Sequence, residues 1–133
     1  MPHPETTATP EVGAALCPAA RVFDLIAHKW TLNIVRALEI AGGPVRFRTL
    51  QRAVGAVTAK ELTKRLRELE RAGLATRAIY AEVPPRVEYA LTPLGASLGP
   101  ALAGLHGWAE AHAGQVDANR RRFDERGRAA TDA

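Results

Sequence analysis

Apolar residues recur along this chain at two periods, and the change from one to the other divides it into elements. Val22, Leu25 and Ile26, with Phe23 beside them, mark one side of a helix from Pro18 to about His28. Proline is favoured at the first helical position, so Cys17 is the expected N-cap. Trp30 falls at the junction with a second helix, Leu32 to about Ala41, capped by Thr31 and turned inward on Ile34, Val35 and Leu38. Gly42-Gly43-Pro44 stops it. Phe47, Leu50 and Val54 give a short third helix, and Gly55-Ala56-Val57 a turn. From Thr58 to Gly73, Leu62, Leu66 and Leu69 repeat at four then three residues, the stripe of a helix over 58–72. Thr58 with Glu61 fits a capping box, and Gly73 fits the terminator.

After Gly73 the period shortens. Leu74–Tyr80 reads as a strand, and Val87, Tyr89 and Leu91 alternate with Arg86, Glu88 and Ala90 as a second. Between them, Pro84-Pro85 stiffens the tip of a hairpin at 82–86. Thr92-Pro93 repeats the cap-plus-proline start and opens a helix to about Ala113, striped by Leu94, Leu98, Leu102 and Leu105 and joined by Trp108. Pro100 predicts a kink in it. Gly99, Ala101, Gly104 and Gly107 would admit a second helix closely, so this helix is expected to pack on the first helix of a partner subunit. Residues 1–16 lack periodicity and read as a flexible arm, and residues 114–133, with Arg120-Arg121-Arg122, as a charged, frayed tail. The fold class is mainly α with a small two-stranded β-hairpin wing. Two short helices, a tight turn, a basic helix and that hairpin make a winged helix-turn-helix, expected over 17–113.

Charge sharpens the picture by its location. The stretch from Arg46 to Arg77 holds nine cations against three carboxylates, a net +6, whereas the whole chain is +4. Such concentration is the footprint of a polyanion-binding surface. In the basic helix, Lys60, Lys64, Arg67 and Arg71 oppose the leucine stripe. A solvated charged face is the bland alternative for any one of these residues. A single cysteine allows no internal disulfide and gives no support for a zinc site. The only serine is Ser97, and His3, His28, His106 and His112 lack ligand spacing, so neither catalytic residues, metal nor cofactor is expected. No apolar run approaches membrane-spanning length and the N-terminus lacks signal-peptide character, which makes the cytoplasm the expected location.

A set of motifs then carries a specific likeness. Cys17-Pro18, Lys29-Trp30-Thr31-Leu32, Arg46-Phe47 with Leu50, Leu62-Thr63 and Leu66-Arg67-Glu68-Leu69-Glu70 follow one another in order. Gly73-Leu74, Tyr80-Ala81-Glu82-Val83-Pro84-Pro85-Arg86-Val87-Glu88-Tyr89, Leu91-Thr92 and Leu94-Gly95 complete the set. Over residues 17 to 113 the chain resembles the HxlR-type winged helix-turn-helix regulators. The resemblance implies a homodimeric bacterial transcription factor, commonly a repressor, joined through its terminal helices. It also implies that helix 58–72 enters the major groove of operator DNA while the wing meets the backbone or minor groove.

On that reading Thr58, Lys60, Thr63 and Lys64, in the first half of the recognition helix, are candidates for base readout. Arg67 sits where phosphate is nearer, and Arg71 lies too far back. Arg46 and Arg48 can hold phosphates at the start of the preceding helix, and Arg86 at the wing suits a narrow minor groove. As a helix cap, Cys17 would have its thiolate favoured by the dipole and by Arg21, and some members of the resembled family sense oxidants or electrophiles at this position. Two other readings stand beside thiol control. One is a small-molecule effector pocket at the dimer interface near Trp30, Asn33 and Trp108; the other is a winged helix that binds protein and no DNA.

Overall fold

The computed structural model describes residues 17–132, so the expected arm over residues 1–16 lies outside the described residues. The chain runs α1 (Cys17–Ile26), α2 (Lys29–Ala41), β1 (Val45–Arg46), α3 (Phe47–Val54), α4 (Ala59–Arg71), β2 (Ala75–Tyr80), β3 (Arg86–Leu91), α5 (Pro93–Ser97) and α6 (Gly99–Asp132). Residues up to Ser97 and residues from Leu98 form two compact units.

In the first unit α2 packs against α1, α3, α4 and β3, which puts it at the centre of the core. Ile34, Val35 and Leu38 from α2 meet Leu50 from α3 and Leu62, Leu66 and Leu69 from α4, all buried. Each such side chain contributes about 1.5–3 kcal/mol by leaving water. The 4–3 leucine spacing of α4 thus fixes one of its faces inward.

Several boundaries differ from expectation for local reasons. Cys17 is the first residue of α1, not its cap, and the helix stops at Ile26. Thr31 does not cap α2. The His28 imidazole accepts the Trp30 N–H at 3.2 Å, which starts the helix earlier and turns Thr31 into the core. The sheet has three strands in the order β1-β3-β2, because Val45–Arg46 pairs antiparallel with Tyr89 and Glu88. A two-residue strand carries no alternation to detect in sequence. The hairpin itself pairs from Ala75↔Leu91 to Tyr80↔Arg86.

The end of α4 determines where the wing begins. Gly73 takes φ 76°, its N–H reaches Glu70 O at 3.0 Å, and Leu74 N–H reaches Leu69 O at 2.9 Å. This Schellman closure satisfies the last carbonyls and redirects the chain into β2. Thr92 braces the other side: its hydroxyl donates to Gly73 O at 2.6 Å and accepts Gly95 N–H at 3.0 Å, capping α5. Gly95 lies so close that a Cβ there would sit 2.0 Å from Leu74 O.

Pro100 has no N–H to continue a helix from the preceding turn, and the single helix expected from Pro93 is instead interrupted at Leu98. In the second unit α6 is one helix of 34 residues, about 51 Å long, through the segment where a frayed tail was expected. Residues 114–132 contain no proline and include five arginines and three alanines, both good helix formers, and their polarity does not prevent helix formation. Leu105, Trp108, Val116 and Phe123 of α6 are exposed. Among the described residues no helix is long and apolar enough to cross a membrane.

Candidate nucleic-acid interface

The leucines that bury one face of α4 leave Lys60, Thr63, Lys64, Arg67 and Arg71 on the exposed face. At successive turns these side chains form a single stripe. Thr58 caps the helix as expected, its Oγ1 accepting Glu61 N–H at 3.1 Å. Only half of the capping box forms. The Glu61 carboxylate turns instead to Arg65, accepting from Nε at 2.8 Å.

Beside α4, the short α3 exposes Arg48 and Arg52, one turn apart. Arg46 precedes it as N-cap but makes no side-chain cap bond, leaving the first N–H groups of α3 open to an anion. Gln51 steadies the turn between the helices by donating to Val57 O at 3.2 Å. Arg52 was not among the sequence-derived site residues. Its signal was the four-residue spacing from Arg48, legible once the helix is placed.

Ion pairs sort the nine cations of this region into two groups. Arg65 is 14% exposed and held by Glu61 and by Glu68 at 3.4 Å. Arg67 and Arg77 both approach Glu70, each at 3.6 Å. Lys60, Lys64, Arg46, Arg48, Arg52 and Arg71 enter no ion pair among the described residues. The uncompensated charge therefore lies on α3 and the exposed stripe of α4, which share one turn.

Arg86 occupies a different setting from the one its sequence position implies. It is the first residue of β3 and faces Tyr80, and its guanidinium lies 4.1 Å from the Tyr80 ring centroid. Glu82 and Glu88 each hold it at 3.4 Å, leaving its side chain 28% exposed. The wing tip instead presents Val83, fully exposed, followed by Pro84 and Pro85. At the base of the wing Tyr89 is buried against Phe47, and burial pushes its phenol above the ordinary value. Arg77 works against that shift, Glu70 adds to it and Arg67 opposes it, so all three charges reach one ring.

The remaining candidates are placed as follows. The Cys17 side chain lies outside the described residues, although its backbone opens α1. Trp30 is half-buried with the Lys29 ammonium 4.6 Å from its ring centroid, and Asn33 is exposed on α2. Trp108 lies on α6, stacked on His112 with ring centroids 4.7 Å apart.

Comparison with known proteins agrees with this geometry. A model of the HxlR-like helix-turn-helix family matches residues 25–117. The HTH-type transcriptional regulator YtfH of Escherichia coli (strain K12) is 39% identical over 113 residues, covering 85% of this chain and 86% of its own. The structure of the ytfH transcriptional regulator from Salmonella typhimurium superposes with a TM-score of 0.70 at 38% identity, over 78% of this chain and 91% of that one. The redox regulator HypR in its reduced form superposes with a TM-score of 0.68 at 33% identity, over 76% and 98% of the two chains.

Proposed function

The chain belongs to the HxlR-like helix-turn-helix family and is a transcriptional regulator of the HTH type, and on that premise we propose that it is a homodimeric repressor that binds operator DNA through α4. Lys60, Thr63 and Lys64 read base edges in the major groove, with Lys64 donating to guanine O6 or N7. Thr58 fixes the helix start and lies beside the first bases. Arg46, Arg48 and Arg52 bind phosphates at the flank, and Arg67 reaches a phosphate farther along the groove. The wing lies against the backbone through its Val83–Pro85 tip, with Arg86 as its internal brace.

One observation carries this reading: of the nine cations between Arg46 and Arg77, those without a carboxylate partner among the described residues are Arg46, at the start of α3, and those on the exposed faces of α3 and α4. A winged helix built for protein contact would present an apolar face there. Two copies of α4 then have to stand about 34–36 Å apart, or a multiple of that, to enter successive major grooves. Paired terminal helices set that spacing. Selection of bound duplexes from a random-sequence pool tests the proposal. Enrichment of two inverted half-sites about one helical turn apart is expected, and recovery of unenriched sequence would contradict it.

For control, the reading favours the thiol of Cys17. The similarity to a redox regulator supports it, and with a single cysteine per chain oxidation has to join two protomers or add a small thiol.

A further inference from the structure

Glu70 is placed unlike any other carboxylate among the described residues: it touches two arginines from different elements, Arg67 of α4 and Arg77 of β2. Its Oε1 is buried and accepts no hydrogen bond. Both arginine Nε atoms stand 3.6 Å away, near enough for Coulomb attraction but beyond hydrogen-bond distance. Compare Arg65, whose Nε donates to Glu61 at 2.8 Å. Glu70 thus holds its partners by charge alone, in a place where a better acceptor would win. Arg67 is 58% exposed and stands on the same stripe as Lys60 and Lys64, whereas Arg77 is 28% exposed at the wing base, close enough to Tyr89 to influence its phenol. A DNA phosphate offers Arg67 two charge-assisted hydrogen bonds in the planar geometry that guanidinium prefers.

We propose that Glu70 is a positioning residue that competes with DNA phosphate for Arg67, withholding that arginine from loosely bound DNA and releasing it only where α4 is fully seated. Arg77 stays with Glu70 in both states, so the carboxylate keeps a partner and α4 remains tied to the wing. The consequence is lower affinity for non-operator DNA, and hence a higher ratio of specific to non-specific binding. This inference rests on the DNA-binding reading above.

The test is a double-variant cycle measured as the salt dependence of binding to a mixed-sequence 30-bp duplex, from about 50 to 200 mM salt. Glu70→Gln keeps the shape and removes the charge. It is expected to bind about two- to five-fold tighter, as for one surface charge interaction, with a log–log slope steeper by about 0.9 per protomer. Arg67→Gln should cost about 0.9 per protomer in the Glu70→Gln background and clearly less when Glu70 is present. Equal slopes for wild type and Glu70→Gln, or an Arg67→Gln effect that ignores Glu70, would overturn the proposal. A purely structural role for Glu70 predicts weaker binding and a lower Tm together. Should Glu70→Gln not fold, Arg67→Gln alone decides: a slope loss equal to that of Arg52→Gln would overturn the proposal, and a smaller loss supports it. If the wild type itself shows no salt dependence, the DNA-binding reading fails first.

Discussion

Replacing Arg86 by Gln separates what the wing does from what its sequence implies. The guanidinium holds Glu82 and Glu88 at 3.4 Å each and covers the Tyr80 ring at 4.1 Å. Two partly exposed ion pairs are worth about 0.2–1 kcal/mol each, and the ring contact about 0.5–1 kcal/mol. The variant also leaves two carboxylates facing each other across the hairpin. Together these predict a loss of about 1–2 kcal/mol, or a Tm lower by roughly 5–15 °C for a domain of this size. The slope of log K against log salt should not change, because in wild type this charge is already neutralised within the protein. Thermal unfolding by circular dichroism and fluorescence anisotropy on a DNA duplex read the two quantities. An unchanged Tm with a slope reduced by about 0.9 per protomer would refute the reasoning, since the guanidinium would then be bound to phosphate.

Three further outcomes are expected. Lys64→Ala should change base preference in a sequence-selection assay, whereas Arg52→Ala should weaken binding to all sequences alike and reduce the salt slope by about 0.9 per protomer. Gly95→Ala drives a Cβ to 2.0 Å from Leu74 O, so α5 must shift; a loss of about 1–3 kcal/mol, as for overpacking, is expected by chemical denaturation. If Cys17 is the control thiol, diamide should abolish DNA binding of the wild type and leave Cys17→Ser unaffected, with the dimer band on non-reducing electrophoresis present only in the wild type.

How much of this was legible in the sequence depended on how many signals converged at each place. Over α4 three independent ones agree: the Thr58 cap, the spacing of Leu62, Leu66 and Leu69, and Gly73 at positive φ. That helix was placed within a residue at each end. β1 escaped because two residues cannot show a period, and only pairing with Tyr89 and Glu88 makes Val45–Arg46 a strand. The start of α2 was misplaced because Thr31 is a good cap in general, while here His28 is close enough to take the Trp30 N–H first. Residues 114–132 looked frayed since their charges mix signs, yet mixed charge on good helix formers is compatible with a solvated helix.

The candidate interface was legible in position but not in charge state. Spacing places Lys60, Thr63, Lys64 and Arg67 on one face, and the structure keeps them there. What spacing does not give is which cations meet carboxylates from another element. Arg77 finds Glu70 across the junction between β2 and α4, and Arg86 finds both Glu82 and Glu88 within the hairpin. Counting cations along the chain therefore overstates the positive surface that DNA would meet.

The salt dependence of DNA binding measures that surface most directly. Arg46, Arg48, Arg52, Lys60 and Lys64 enter no ion pair among the described residues. Phosphate contact by Arg46, Arg48 and Arg52 in both protomers of a dimer predicts a log–log slope of about −5 on duplex DNA, and a steeper one where Lys60 and Lys64 also neutralise phosphate. A slope clearly below −4 would agree with phosphate binding by the α3–α4 surface; a slope near zero would contradict it.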